Sequence, residues 1–506
     1  MTTFIKGLAL LVAVSCLAWI SVLWHWRAKA HSPNTGDLLA YLVLLPLAGF
    51  GLVLLLRWGW RAAADQREAS AAAKAHAASA AAASPKAPPP EPPAPPLQLL
   101  RAELHCACAE DIDALLQAAQ AGQPLPALDD ELRHDDGLPV MSVRIAELPL
   151  DETKALLASL ASKMSGHPFG ATAGPDAAGT NGTDAPAVGA SSPAADPEPE
   201  GPELPAHVLR ALAALAAPLG KALQGLQPWW PLFEPDRQPE LGLDLLLAWP
   251  AAWTEADRAQ ADAWARAQLA AAPLGPIDPA RCRVDSLAAS GVELWVEAQR
   301  RLREQARGGR HRLLLIASAH SDLSDAAVAT LARERRLFSP AQHPKGVMPA
   351  EGAAALLLAP HDWPAAPDES DPPVQLHPAV VLKRDKSIEA AGSVSSQTLV
   401  DALAGAIGLA KLEPVGIAKL VCDADRHSQR GTELFGATLK VLPQLDAAED
   451  LCLTAAVAGH GNAGALMVVA GAAARAAAEK KPCLGLALGD THRRLAVVAV
   501  PPPPAT

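Results

Sequence analysis

Two nearly uncharged apolar runs open the chain. Residues 7–26, GLALLVAVSCLAWISVLWHW, and residues 38–57, LLAYLVLLPLAGFGLVLLLR, are each 20 residues long, enough for a helix to cross a bilayer. Trp24, Trp26, Trp58 and Trp60 stand at the ends of these runs, where aromatic rings settle at the membrane interface. Lys6 precedes the first run, Arg27 and Lys29 lie in the joining loop, and Arg57, Arg61, Arg67 and Lys74 follow the second. Basic flanks stay on the cytoplasmic side. The pattern therefore predicts a two-helix hairpin over residues 1–60 in a bacterial inner membrane, touching membrane lipid, with both ends and the main domain in the cytoplasm. A cleaved signal peptide ending near RAKAHS would also begin this way, but a second apolar run directly after it argues against simple secretion.

The pattern then changes twice. Residues 61–96 form an Ala/Pro-rich linker whose proline half, PKAPPPEPPAPP, is a stiff polyproline spacer. From 97 to 500, short apolar runs alternate with amphipathic ones. LQLLRAELHCAC, LGLDLLLAWP, RLLLIASAHSD, AAALLLAP, IAKLVCDAD, LCLTAAVA and CLGLALGD…RRLAVVAV read as strands; AEDIDALLQAAQAG, TEADRAQADAWARAQLAAA and GVELWVEAQRRLREQAR read as helices. Alternation of this kind predicts an α/β body with buried sheets. A low-complexity stretch at 166–205 reads as a surface insertion, and 501–506 as a proline-rich tail.

Composition narrows the function. The chain has 506 residues and a net charge of −11, which argues against nucleic acid as a partner, because phosphate recognition needs clustered Lys and Arg. Seven cysteines are scattered without a CxxC, which suits a reducing compartment and neither a disulfide framework nor a zinc site. His105-Cys106-Ala107-Cys108 resembles a metal patch in spelling only. On a strand the two cysteines share one face and the histidine takes the other, so they read as buried strand cysteines. Asp423, Asp425 and His427 crowd one loop without spaced partners. No metal or cofactor is expected.

Two local features stand apart. QPWWPLF, residues 227–233, is either a core plug or an exposed partner anchor. RRLREQARGGRHR, residues 300–312, is basic and reads as a solvated helix end; if free, it would suit anionic lipid or an acidic carrier protein.

AAVAGHGNAGALMVV contains Gly459-x-Gly461-x-x-Gly464 between a strand pattern and a helix pattern, the context of a dinucleotide fingerprint. The acid that should hold a ribose is misplaced, however. Glu479 falls at the helix end, before the next strand, and Asp490 lies too far along. A nucleotide-binding oxidoreductase is thus the weaker reading.

The body resembles the β-ketoacyl synthases of the thiolase-like superfamily. AELHCACAEDIDALLQAAQAGQPLPALDDELRHDDGLPV is similar to the family's opening strand, helix and approach segment. VDSLAASGVELWVEAQRRL is similar to the nucleophile segment, D-T-A-C-A-S-S, and its helix. Glu351-Gly352-Ala353-Ala354 is close to the family's G-E-G-A-A strand. Gly459-His460 and Gly464 match its G-H-x-x-x-A-G turn, and Gly489 and Thr491 match the closing G-G-T-N strand pair. The resemblance implies a layered α/β/α/β/α body and a dimer formed through a strand beside the nucleophile helix. It also implies that the chemistry is lost. The nucleophile slot holds Ala288, the first histidine slot falls at Ala424 and the lysine slot near Ala455. Only His460 remains.

The expectation is therefore a catalytically silent, membrane-anchored ketosynthase-like module. It would act as an adaptor for a secretion-system or envelope assembly. Alternatively it would be the inactive homo- or heterodimeric partner of an acyl-chain-building synthase that meets an acyl carrier protein, or a residual decarboxylase.

Overall fold

A computed structural model describes residues 95–502 except 123–125, 135, 166–203, 234–241, 276, 309–311, 365–372, 391, 393 and 426, together with residues 19, 20, 24 and 27. The chain divides into two units, Met1–Pro92 and Pro93–Thr506. In the first, Trp19, Ile20, Trp24 and Arg27 are helical, and Trp24 is 76% exposed. The rest of the expected hairpin, with Trp26, Trp58 and Trp60, lies outside the described residues, as do nearly all of the linker and residues 166–203 of the insertion.

In the second unit the chain runs β1 (Leu97–Cys106), α1 (Ile112–Ala121), β2 (Ala127–Arg133), β3 (Pro139–Ser142), α2 (Leu150–Ser165), α3 (Ala206–Gln224), β4 (Gly242–Trp249), α4 (Glu255–Ala271), β5 (Cys282–Ala288), α5 (Gly291–Arg307), β6 (Arg312–Ser321) and α6 (Asp325–Arg333). It continues through β7 (Glu351–Pro360), β8 (Val374–Leu376), β9 (Val380–Lys383), α7 (Gln397–Leu409), β10 (Lys419–Cys422), α8 (Ser428–Val441), β11 (Leu451–Leu453), a one-turn α9 (Ala455–Ala458), α10 (Gly464–Glu479), β12 (Cys483–Ala487) and β13 (Arg493–Val500). Every strand and helix read from the apolar pattern is present. LCLTAAVA is shorter than expected as a strand: it ends at Leu453, and Thr454 turns the chain into α9.

One large mixed sheet runs β11-β10-β12-β13-β8-β1-β7-β6-β4-β5, with β9 on β13. The three-residue β8 joins its two halves, pairing Leu376 with Leu97 on one side and Ala499 on the other. The central apolar cluster holds α5, α10 and strand residues from both halves, such as Leu356 of β7 and Val497 of β13. A second cluster packs α3 and α4 on the outer face of the β1–β5 half. A third packs α7 and α8 on the outer face of the β10–β13 half. Helix, sheet, helix, sheet, helix is thus the order through the molecule. β2 and β3 form a separate two-stranded sheet that the pattern did not announce, since β2 (ALDDELR) is largely polar and exposed.

Among the described residues one helical stretch, Ala206–Pro231, is long and apolar enough to cross a membrane. It is α3 and the turn after it, and Leu212, Leu215 and Leu219 are fully buried. A helix apolar on nearly all sides belongs inside a packed body. Trp229 is buried as a core plug, while Trp230 lies against Gly275.

Candidate functional site

β5 and α5 frame the nucleophile slot. β5 runs parallel to β4, Trp249 lying opposite Ala288. Asp262 of α4 fixes both strands, accepting from Trp249 Nε1 and Ser286 Oγ, each at 2.8 Å. Ala288 is the last residue of β5, and its exposed methyl group cannot attack a thioester. The N-terminus of α5, where a thiolate would gain from the helix dipole, is occupied by the chain itself. Ser290 Oγ accepts from Glu293 N at 3.3 Å, and Glu293 Oε2 accepts from Ser290 N at 2.9 Å, a capping box. Cys282 opens β5 at its other end, about 20 Å away at strand rise, and does not serve the slot.

The GHGNAG turn docks against this junction. Asn462 Nδ2 donates to Ala289 O at 3.0 Å. Gly291 approaches Asn462 O so closely that a Cβ there would overlap it. Gly459 has φ 77°, and a Cβ on it would strike Ala350, the residue before Glu351. Gly464 opens α10 with the Asp423 carboxylate beside it. The turn is filled by protein groups, and a carboxylate faces the helix start where a pyrophosphate would sit, which disfavours the nucleotide reading.

His460 is half-buried with its ring against Gly489. Burial first, and then Arg430, lowers its pKa to about 4. His320, near the end of β6, is the residue that the sequence reading missed. It is 5% exposed. Neither ring nitrogen makes a well-formed hydrogen bond, although the Gly352 backbone lies close. Burial and then His460 hold its pKa at about 3. Both imidazoles are therefore neutral at physiological pH. A histidine near the end of a largely apolar, buried strand was the available signal.

Ala424, in the first histidine slot, is 1% exposed at the end of β10. Its neighbour Asp423 accepts from the N–H groups of Leu488 and Gly489, and burial raises its pKa to about 6. His427 is the N-cap of α8, its Nδ1 accepting from Gln429 N at 3.3 Å. Asp425 pairs with Arg430 at 2.5 Å, and Arg430 donates to Gly489 O at 3.1 Å. Thr491 O accepts from Ile388 N at 2.9 Å. Ala455 lies buried in α9. Among the described residues no group of three or more His, Cys, Asp or Glu is placed to hold a metal ion.

Glu351 is architectural. It is fully buried and accepts from Arg210 Nη2 at 2.6 Å, Arg210 Nε at 2.8 Å, Ile145 N at 2.7 Å and Ser321 Oγ at 3.2 Å. Gly352 pairs with Cys106 on one side and His320 on the other; a Cβ on it would press on Met467. In the basic 300–312 stretch three arginines have acidic partners: Arg300 pairs with Glu297 and Glu304, Arg301 with Asp285 and Glu297, and Arg312 with Asp244.

No protein-family model and no curated protein matches the sequence. Solved structures do. A type II polyketide synthase acyl-carrier protein in complex with its ketosynthase bound to the hexaketide is 11% identical, with a TM-score of 0.51 over 81% of this chain and 100% of that one. A β-ketoacyl synthase from Burkholderia phymatum STM815 is 13% identical over 81% and 100%, with a TM-score of 0.47. The ishigamide ketosynthase/chain length factor is 13% identical over 80% and 99%, also at 0.47. The first of these likenesses gives the body the ketosynthase fold.

Proposed function

We propose that the protein is a membrane-anchored, non-catalytic ketosynthase-like module, an adaptor on the cytoplasmic face of the inner membrane for a secretion or envelope assembly. One observation carries this reading. The nucleophile slot is the methyl group of Ala288, on a helix start already capped by Ser290 and Glu293. Ala424 and Ala455 leave His460 as the one expected family group that remains. The apolar runs at 7–26 and 38–57 and the proline spacer support the anchor. Among the described residues β5 is the end strand of the sheet, the kind of edge at which a second strand can add, which supports a homo- or heterodimer. The presence of two neutral histidines, His320 and His460, favours a second reading: an inactive partner of an acyl-chain-building synthase, or a residual decarboxylase, that meets a carrier protein.

The test is capture of the detergent-solubilised full-length chain with its partners, identified by mass spectrometry. Secretion or envelope components without acyl machinery support the adaptor. Acyl carrier protein or an active ketosynthase overturns it in favour of the second reading.

A further inference from the structure

β1 ends at Cys106, and the chain reverses over Ala107 and Cys108. Two backbone hydrogen bonds close the reversal: Cys106 N to Ala109 O at 2.9 Å and Ala109 N to Cys106 O at 3.1 Å. The turn brings the two Sγ atoms to 3.5 Å. Cys106 is 2% exposed, whereas Cys108 is only half-buried. Both are free thiols. The other half-buried cysteine of the body, Cys282, stands at the start of β5 and has no such neighbour.

We propose that Cys106 and Cys108 are a dithiol–disulfide couple, a modification site that exchanges with a small-molecule disulfide such as oxidised glutathione. The reachable Cys108 thiolate attacks one sulfur of the incoming disulfide. A Cys108–glutathione bond forms, the incoming S–S bond breaks and one glutathione thiolate leaves. Cys106 then loses its proton and attacks Cys108 Sγ, expelling the second glutathione. The protein loses two protons and two electrons, and one glutathione disulfide takes them up to become two thiols. Exposure divides the roles, since Cys108 can be reached from solvent and Cys106, at 2% exposed, cannot. Closure shortens the contact from 3.5 Å to a bond of about 2.05 Å. The closed loop is minimal, so the bond constrains the unfolded chain little and acts as an exchanging couple rather than a staple. In the sheet register Cys106 lies opposite Gly352, and Gly352 opposite His320. The couple therefore borders the histidine site. The inference does not rest on the adaptor reading.

The test uses the full-length chain, reduced, desalted and equilibrated across reduced-to-oxidised glutathione ratios, then alkylated in denaturant and mapped by peptide mass. The expected result is a 106–108 peptide lacking two hydrogens at oxidising ratios, while Cys282 stays alkylated. Cys106→Ser should stall as a glutathione adduct on Cys108, and Cys108→Ser should form neither. Recovery of both cysteines as alkylated thiols at every ratio overturns the proposal, as does glutathione addition at Cys282 without a bridge at 106–108. The parent chain alone decides this, so a misfolded serine variant does not leave the matter open.

Discussion

Gly461 lies so close to the ring of His320 that any Cβ at 461 would occupy the imidazole itself. The GH turn and the end of β6 are thereby pinned to each other by a residue type and not by a bond. Gly461→Ala should destabilise the chain by about 1–3 kcal/mol, the range for forced overpacking. His320→Ala removes the obstacle, so the double variant should be more stable than Gly461→Ala alone. Urea unfolding of the three variants checks this. Strictly additive losses would mean that the two residues do not press on each other.

The Arg210–Glu351 pair ties α3 to the start of β7, with Glu351 fully buried. Glu351→Ala leaves a guanidinium with no carboxylate partner there, and should cost about 3–5 kcal/mol. Adding Arg210→Met should recover part of the loss, because an apolar pair of similar volume needs no counter-charge. Thermal unfolding of the single and double variants reads the difference.

Acid should act on the histidine site with two opposing signs. His320 has a folded pKa of about 3, against about 6.5 unfolded. The unfolded chain takes the proton first, so stability is lost as pH falls from about 6.5 toward 3. Asp423 and Asp322 are shifted up to about 6. Their stabilising contribution is present below about 3.8, the unfolded value, and is lost as pH rises through 6. His460, lowered to about 4, acts with the same sign as His320, and His320→Gln removes the larger of these two shifts. Its stability relative to the parent should therefore rise between pH 7 and pH 4, by on the order of 3 kcal/mol. Denaturant midpoints at each pH measure it, and a pH-independent difference would show that His320 does not titrate as its burial requires.

Glycine positions were legible in the sequence where the backbone itself is the contact. Gly459, at φ 77° and with Ala350 where a Cβ would stand, is spelled by the GH motif for that reason. His320 was not legible, because its role needs the β6–β7 register and the GH turn at once, and both are long-range. α3 offered no polar face to mark its period, and β8 is three residues long, too short to carry one. The join between the two sheet halves was therefore hidden. Of the expected site, Ala288, Ala424 and Ala455 were readable as identities only. The capping box that fills the helix start was readable only as Ser290-x-x-Glu293.

Restoring a thiol should not restore acyl transfer. Ala288→Cys would place a sulfhydryl on an exposed strand end, beside a helix start whose Glu293 N–H is already bonded to Ser290 Oγ and whose Glu293 carboxylate pairs with Arg493 at 2.8 Å. The Glu293 carboxylate would raise the thiol pKa and the Arg493 guanidinium bound to it would offset that, so the helix start offers no net cationic pull toward thiolate. The thiol should therefore sit at or above the free-cysteine value of about 8.5, and react with an acyl thioester no faster than a surface cysteine. Ala424→His does not supply the missing imidazole, since Ala424 is 1% exposed and a ring there overpacks the core, costing about 1–3 kcal/mol. Intact mass after incubation with an acyl-coenzyme A thioester checks the first variant, with Cys282 of the parent chain as the internal standard. Rapid acylation confined to position 288 would mean that the oxyanion-stabilising groups survive around His460 and His320. The protein would then be a condensing framework lacking only its nucleophile, and the adaptor reading would fall.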